Sequence, residues 1–117
     1  MLYLIDDDKS VLRSFALLLR SAGIDHRSFE SADEFLSVSK PCVKDLLILD
    51  LNLPGMSGCD LIKKFYQEGI QIAIIIVTAY EDSKTRELCK QFGVLAYLRK
   101  PVDGEALLDL IKYNLPV

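Results

Sequence analysis

Residue types that build disulfide frameworks and zinc centres are scarce in this chain. It has no tryptophan, and its single histidine, His26, has no His or Cys partner at ligand spacing. The three cysteines, Cys42, Cys59 and Cys89, are odd in number and lack CxxC spacing, so they fit neither a disulfide framework nor a zinc site. We therefore expect His26 to be structural and the thiols to be reduced.

Long runs of one chemical character are also missing. No apolar stretch approaches the roughly 20 residues that cross a bilayer, and no basic segment leads into a long apolar one, as in a secretory signal. The 14 basic residues are outnumbered by 17 acidic ones, and no basic block offers a nucleic-acid face. We expect a cytoplasmic protein without direct contacts to membranes or nucleic acids.

Strand-like and helix-like segments alternate along all 117 residues, which predicts one domain spanning residues 1–117. The predicted strands cover residues 2–5, 24–29, 45–49, 71–77 and 94–98. The predicted helices cover residues 9–22, 32–39, 57 or 58–68, 81–92 and 103–114, with Asp8 and Asp103 as N-caps of the first and last. Five β-α units in series predict an α/β fold with a doubly wound parallel sheet.

Strand composition indicates the order of the sheet. Residues 46–49 and 72–77 are continuously apolar, as in strands covered on both faces. The second predicted strand is interrupted by Asp25, His26 and Arg27, which is typical of an edge. These patterns are compatible with the strand order 2-1-3-4-5.

Four predicted strands end in residues that can handle a phosphoryl group or its counter-ion. Asp6 and Asp7 follow the first strand, Asp50 follows the third, Thr78 the fourth and Lys100 the fifth. The carboxyl ends of parallel strands meet at one edge of the sheet, where open α/β folds bind ligands. We therefore expect these side chains to form one site.

The chemistry of this predicted site is phosphoryl transfer onto a carboxylate. Clustered carboxylates repel one another unless a cation joins them, and hard oxygen ligands suit Mg²⁺. In that reaction Asp50 is the nucleophile, and Thr78 and Lys100 contact the phosphoryl oxygens. The small side chain of Ala79 leaves room for the group, and the backbone carbonyl of Asn52 could complete the metal shell.

Each of these residues also has an ordinary structural interpretation. Asp50 could be a turn residue, Thr78 a β-branched strand residue and Lys100 a solvated side chain. The functional interpretation depends on the fact that four of the five predicted strands each end in a residue of the type that this chemistry needs.

The matching stretches are long enough to indicate a family. The chain resembles the receiver domains of bacterial two-component response regulators, through residues 5–8, 49–58, 77–79 and 100–101. The resemblance implies a flavodoxin-like (βα)5 sandwich that takes a phosphoryl group from the phosphohistidine of a histidine kinase or phosphotransfer protein. It also implies dependence on Mg²⁺ or Mn²⁺ and a conformational switch that controls a partner or effector domain. Such a domain promotes its own phosphorylation and dephosphorylation but is not a turnover enzyme.

The resemblance also implies roles for individual residues. Asp50 is the phosphoacceptor, and the metal is held by Asp6, Asp7, Asp50 and Asn52. The phosphoryl group is contacted by Thr78, Ala79 and Lys100, the switch residues are Thr78 and Tyr97, and the peptide bond before Pro101 is cis. Gly93-Val94 in place of Gly-Ala and the lack of a proline before the fourth strand depart from the family pattern without touching the site.

The helix over residues 81–92 is predicted to be the movable part. It has few apolar residues, chiefly Leu88, Cys89 and Phe92, and weakly anchored elements open at low free energy. A solvated outer helix with no signalling role is the alternative.

In the last helix Leu108 and Tyr113 fall outside the predicted inward stripe of Ala106, Leu107, Leu110 and Ile111. With Tyr97 and the 81–92 helix, they are candidates for a homodimer or effector contact.

Three other functions stay open. A Mg²⁺-dependent aspartyl phosphatase of the haloacid-dehalogenase kind would need DxD where this chain has Asp50-Leu51-Asn52. A flavin-binding module would need a Ser-, Thr- and Gly-rich loop where three aspartates stand. The third is a receiver-like adaptor that never becomes phosphorylated.

Overall fold

A computed structural model describes residues 1–79 and 82–115 and has an α/β architecture of three layers. Its parallel strands are β1 (Leu2–Ile5), β2 (His26–Phe29), β3 (Leu46–Leu49), β4 (Ala73–Thr78) and β5 (Ala96–Arg99). Its helices are α1 (Lys9–Ser21), α2 (Ala32–Val38), α3 (Gly58–Gln67), α4 (Ser83–Gln91) and α5 (Gly104–Asn114). The sheet order is β2-β1-β3-β4-β5, so the predicted order is confirmed.

The predicted starts of three strands were two residues too early, and helix termination explains the errors at residues 24 and 94. Gly23, Gly69 and Gly93 each follow a helix with φ near +70 to +80°. The next residue, Ile24, Ile70 or Val94, donates its amide back to the helix, as in Ile24 N to Leu19 O at 2.9 Å. This is the Schellman arrangement, in which an apolar residue after the glycine still belongs to the helix end. The apolar run therefore begins before the strand does.

The predicted starts of α1 and α5 agree with the observed capping. The Asp8 carboxylate accepts hydrogen bonds from the amides of Ser10 and Val11, and Asp103 caps α5 in the same way. Asp82 caps α4, so this helix begins after the predicted residue Glu81, which lies outside the described residues. Within the described part of the chain, no helix is both long and apolar enough to cross a membrane.

Apolar layers cover both faces of the sheet, because alternate residues of each strand point to opposite sides. One layer packs β-strand residues such as Ile5, Leu49 and Ile76 against α2, α3 and α4. The other packs their neighbours, such as Leu4 and Ile48, against α1 and α5. The buried strands thus hold the strand ends in a fixed register.

The inward face of α5 differs from the prediction. Leu107 and Ile111 are buried, one helical turn apart, and they define the line that faces the sheet. Ala106, expected to face inward, is exposed, whereas Leu108, expected to fall outside, packs against the core. Tyr113 does point outward and is 90% exposed.

Candidate functional site at the carboxyl edge of the sheet

Strand register brings two aspartates side by side. Ile5 pairs with Leu49, so the residues that follow them, Asp6 and Asp50, leave the sheet at the same level. The Asp50 amide donates to Ile5 O at 3.0 Å, and the Asp6 amide donates to Phe29 O at 3.1 Å. The backbones of both aspartates are therefore fixed by the ladder itself.

A cluster of three carboxylates forms where these strands end. Asp6, Asp7 and Asp50 each offer one oxygen, and these oxygens lie within 4.8 Å of one another. Asp6 and Asp50 are 3% and 6% exposed, while Asp7 is open to solvent. Hard oxygen ligands with one solvent-facing side suit Mg²⁺, which keeps several of its waters. The donor set therefore fits the expected divalent cation.

Lys100 joins the two buried carboxylates. Its Nζ donates to Asp6 Oδ2 at 2.7 Å and to Asp50 Oδ2 at 3.0 Å. Burial works against the charge of this lysine, but its hydrogen bonds to Asp6 and Asp50 and the negative charges of both together outweigh burial, so the pKa of Lys100 is raised. Burial, with a smaller contribution from the charge of Asp50, raises the pKa of Asp6 despite the opposing effects of Lys100 and of the hydrogen bond from the Asp8 amide. One ammonium thus faces three carboxylates, and the excess negative charge favours a cation.

The second oxygens of the Asp6 and Asp50 carboxylates accept hydrogen bonds from backbone amides. Asp6 Oδ1 accepts the Asp8 amide at 3.0 Å, and Asp50 Oδ1 accepts the Asn52 amide at 3.1 Å. Asn52 itself is exposed. Both oxygens of Asp50 are therefore oriented before any ligand arrives, which is the kind of preorganisation that a reactive carboxylate needs.

Thr78 and Lys100 come together through the last strand pair. Thr78 is the final residue of β4 and fully buried, and its carbonyl accepts the Lys100 amide at 2.9 Å. Ala79 follows on the exposed side of this edge. The Lys100–Pro101 peptide bond is cis.

Gly58 lets α3 pack directly on the backbone that carries Asp50. A Cβ atom at Gly58 would lie 2.6 Å from the Asp50 carbonyl oxygen and 2.7 Å from Leu51 Cα. The Gly58 amide donates to Leu51 O at 3.1 Å. Sequence reasoning named Gly58 as a possible helix start and as the end of a matching stretch, and missed this role. The glycine in the first helical turn, eight residues after Asp50, was the available signal.

Tyr97 lies apart from the carboxylates, on β5. It pairs with Ile76 in the sheet, is half-buried, and has the Arg86 guanidinium of α4 at 5.6 Å from its ring centroid. Sequence reasoning did not identify Arg86. This cation–π contact connects the proposed switch aromatic with the proposed movable helix.

Comparison with known proteins agrees with this geometry. The family described as "Response regulator receiver domain" matches residues 2–112. The transcriptional regulatory protein FixJ of Azorhizobium caulinodans is 31% identical over 113 residues, covering 97% of this chain and 54% of FixJ. The response regulator StyR superimposes with a TM-score of 0.88 at 35% identity, covering 97% of this chain and 58% of StyR. A CheY-like receiver domain protein from Methanospirillum hungatei superimposes with a TM-score of 0.83 at 29% identity, covering 96% of this chain and 90% of that protein.

These similarities establish both the fold and the family. The strand order and the paired helices are those of the flavodoxin-like receiver fold that the motifs predicted. The chain spans about half the length of FixJ and of other curated regulators that it matches. With a family match over nearly every described residue, the chain belongs to the response regulator receiver family.

Proposed function

We propose that Asp50 accepts a phosphoryl group from the phosphohistidine of a sensor kinase or phosphotransfer protein, in a reaction that depends on Mg²⁺ or Mn²⁺. The observation that carries this proposal is the buried Asp50 carboxylate, which shares Lys100 with Asp6 inside a three-carboxylate cluster. The exposed positions of Asp7 and Ala79 leave this edge open to an incoming phosphohistidine. The pattern suits an acceptor better than a turn residue, which needs no buried lysine.

The proposed transfer is an in-line displacement. An Asp50 oxygen forms a bond to phosphorus while the bond between phosphorus and the donor imidazole nitrogen breaks, and the electron pair leaves with that nitrogen. Lys100 and Thr78 donate hydrogen bonds to phosphoryl oxygens as charge redistributes. The cation would be held by Asp6, Asp7, Asp50 and the Asn52 carbonyl, and would supply neutralisation of the phosphoryl charge.

The proposed output is a population shift. Phosphorylation adds negative charge and acceptor oxygens beside Thr78, and these favour the conformation of the domain that contacts them. The equilibrium can shift by no more than the difference between the phosphoryl group's interaction free energies with the two conformations. In α4 only Cys89 is fully buried, which supports this helix and Tyr97 as the elements that move. The domain proposed here covers residues 1–117.

Partners are proposed from the family and from one surface. A cytoplasmic sensor kinase would supply the phosphoryl group, and an effector domain or a second copy would read the switch through α4, β5 and α5. The nearly fully exposed Tyr113 lies on this surface. Sedimentation of phosphorylated and unphosphorylated forms tests the homodimer, and an unchanged oligomeric state would count against it. We propose that the phosphorylated Asp50 acts as a signal rather than as an intermediate in the turnover of a substrate.

The decisive experiment uses the wild-type chain with acetyl phosphate and Mg²⁺, followed by intact mass spectrometry. We expect a gain of one phosphoryl group in the wild type and none in Asp50→Asn. Asp109→Asn is the matched control, because Asp109 is an exposed carboxylate on α5. It should be phosphorylated like the wild type.

Two results would contradict the proposal. A failure of the folded wild type to gain the group would favour the unphosphorylated adaptor. Continuous release of phosphate from a phosphate ester would favour the phosphatase.

A further inference from the structure

Two cysteine thiols meet where α3 packs against α4. Cys59 lies in the first turn of α3, and its thiol interacts with the thiol of Cys89 on α4. Cys59 and Thr85 line one cavity of about 390 Å³. Since Thr85 and Cys89 are four residues apart, they lie on the same face of α4. The face of α4 that carries Cys89 is therefore turned toward Cys59.

The two thiols differ in access. Cys59 is half-buried and borders the cavity, whose lining also includes Asn52 and Ser57. Cys89 is 1% exposed and does not line the cavity. Burial raises the pKa of both thiols, that of Cys89 to about 11, while the nearby Lys63 partly opposes the rise at Cys59. Cys59 is thus the thiol that an external reagent meets first.

We propose that Cys59 and Cys89 form a reversible disulfide on exposure to a low-molecular-weight disulfide such as oxidised glutathione, linking α4 covalently to α3. Both thiols are free in the structure. In intracellular proteins such bonds are transient and belong to redox sensing. The proposal stands apart from phosphorylation of Asp50, because neither thiol belongs to the carboxylate cluster.

The exchange proceeds in two steps. The Cys59 thiolate attacks one sulfur of oxidised glutathione, the disulfide bond of the reagent breaks, and one glutathione thiolate leaves. The Cys89 thiolate then attacks the Cys59 sulfur and expels the second glutathione. The two protons lost by the cysteines end on the two glutathione thiolates. Two protein thiols are oxidised to one disulfide, and one molecule of oxidised glutathione is reduced to two thiols.

The consequence is a restraint on the weakly anchored helix. The bond joins α4 to the first turn of α3, and that turn is seated on the Asp50 backbone through Gly58. Local opening of α4 would then have to break a covalent bond or carry α3 with it. We expect amide hydrogen exchange in residues 83–91 to slow by at least about tenfold in the oxidised form.

The test uses Cys42→Ser, because Cys42 is exposed and would otherwise take up glutathione. After incubation with oxidised glutathione, intact mass should fall by two hydrogen atoms, with no glutathione retained. Peptide mapping should find Cys59 joined to Cys89, and dithiothreitol should reverse both the mass change and the slower exchange of α4.

Variants in the same background separate the steps. Adding Cys89→Ser should leave one glutathione attached to Cys59, and adding Cys59→Ser should leave the chain largely unmodified. Asp50→Asn should form the bond at the unchanged rate, which separates this proposal from phosphorylation. Stable glutathione on Cys59 in the variant that keeps both thiols, or unchanged exchange in an oxidised α4, would overturn the proposal.

Discussion

Gly58→Ala tests the fit between α3 and the backbone that carries Asp50. The new methyl carbon would lie 2.6 Å from the Asp50 carbonyl oxygen and 2.7 Å from Leu51 Cα, against ordinary contacts of 3.4–4 Å. The shortfall is roughly 0.8 Å. Both obstacles are backbone atoms, which cannot rotate away as a side chain can. Either α3 or the loop after β3 must move.

The expected loss of stability is about 2 kcal/mol. Forcing an extra methyl group into a well-packed site typically costs about 1–3 kcal/mol, and the direct clash with backbone places this case at the upper end. Alanine regains less than about 1 kcal/mol through its better helix propensity. For a domain of this size the melting temperature should fall by roughly 10 °C.

A shift of Asp50 by less than one ångström should affect the rate of phosphorylation more strongly than it affects stability. Moving Asp50 by a large fraction of an ångström would misplace its carboxylate relative to Lys100 and Asp6, and misplacements of that size can cost on the order of a hundredfold in rate. We therefore expect the folded Gly58→Ala variant to react with acetyl phosphate at least about tenfold more slowly than the wild type.

Gly104→Ala is the matched control, because Gly104 is the first residue of α5 as Gly58 is of α3. A Cβ at Gly104 would meet only the tips of Leu18, at 3.3 and 3.5 Å. Urea titration should place this variant within about 0.5 kcal/mol of the wild type, with normal phosphorylation. Equal unfolding free energies for Gly58→Ala and Gly104→Ala would refute the close-packing argument.

The carboxylate cluster yields two further predictions. Lys100→Met leaves two buried carboxylates without their ammonium and should lower the unfolding free energy by about 2–3 kcal/mol in EDTA. Added Mg²⁺ should restore part of this loss. Urea titrations of the variant that show no dependence on Mg²⁺ would contradict the prediction. The raised pKa of Asp6 means that the folded state holds its proton to higher pH than the unfolded chain. Stability should therefore fall as pH rises from the ordinary aspartate pKa through the raised one. At neutral pH without metal, Asp6→Asn should unfold at a higher urea concentration than the wild type. The unfolding midpoints of the two proteins should converge below about pH 4. A constant difference between the midpoints at every pH would argue against a raised pKa of Asp6.

Most of the fold follows from patterns of apolar and capping residues. The alternation of strands and helices and the polar character of β2 were sufficient for the sheet order, and Asp8 and Asp103 marked helix starts correctly. The strand starts predicted at residues 24 and 94 were misplaced because an apolar residue after a C-terminal glycine packs the same way whether it closes a helix or opens a strand. Hydrophobicity alone does not separate these cases, whereas the hydrogen bond from Ile24 to Leu19 does.

The sequence predicted which residues lie close together in the site, but it did not predict the hydrogen bonds between their side chains. Parallel strands place Asp6 and Asp50 together by topology alone. That a single Lys100 ammonium bridges their two carboxylates depends on side-chain geometry at the end of β5. The contacts of Arg86 with Tyr97 and of Cys59 with Cys89 depend on how the helices pack against their neighbours, which no local pattern encodes. The contact of Gly58 with Asp50 has a local signal only in the position of the glycine in the first turn of α3.

The bridging lysine explains how this acidic edge can exist before a cation binds. Two buried carboxylates side by side would otherwise take up a proton, since repulsion and burial both favour the neutral form. Lys100 lowers that tendency without removing it, because the pKa of Asp6 remains raised. The edge is therefore held in a strained charge state, typical of sites selected for chemistry rather than stability. Under the proposed function, a divalent cation held by these carboxylates would relieve the same repulsion and free Lys100 from Asp50 for a phosphoryl oxygen. Metal binding and readiness for transfer would then be coupled through one ammonium group.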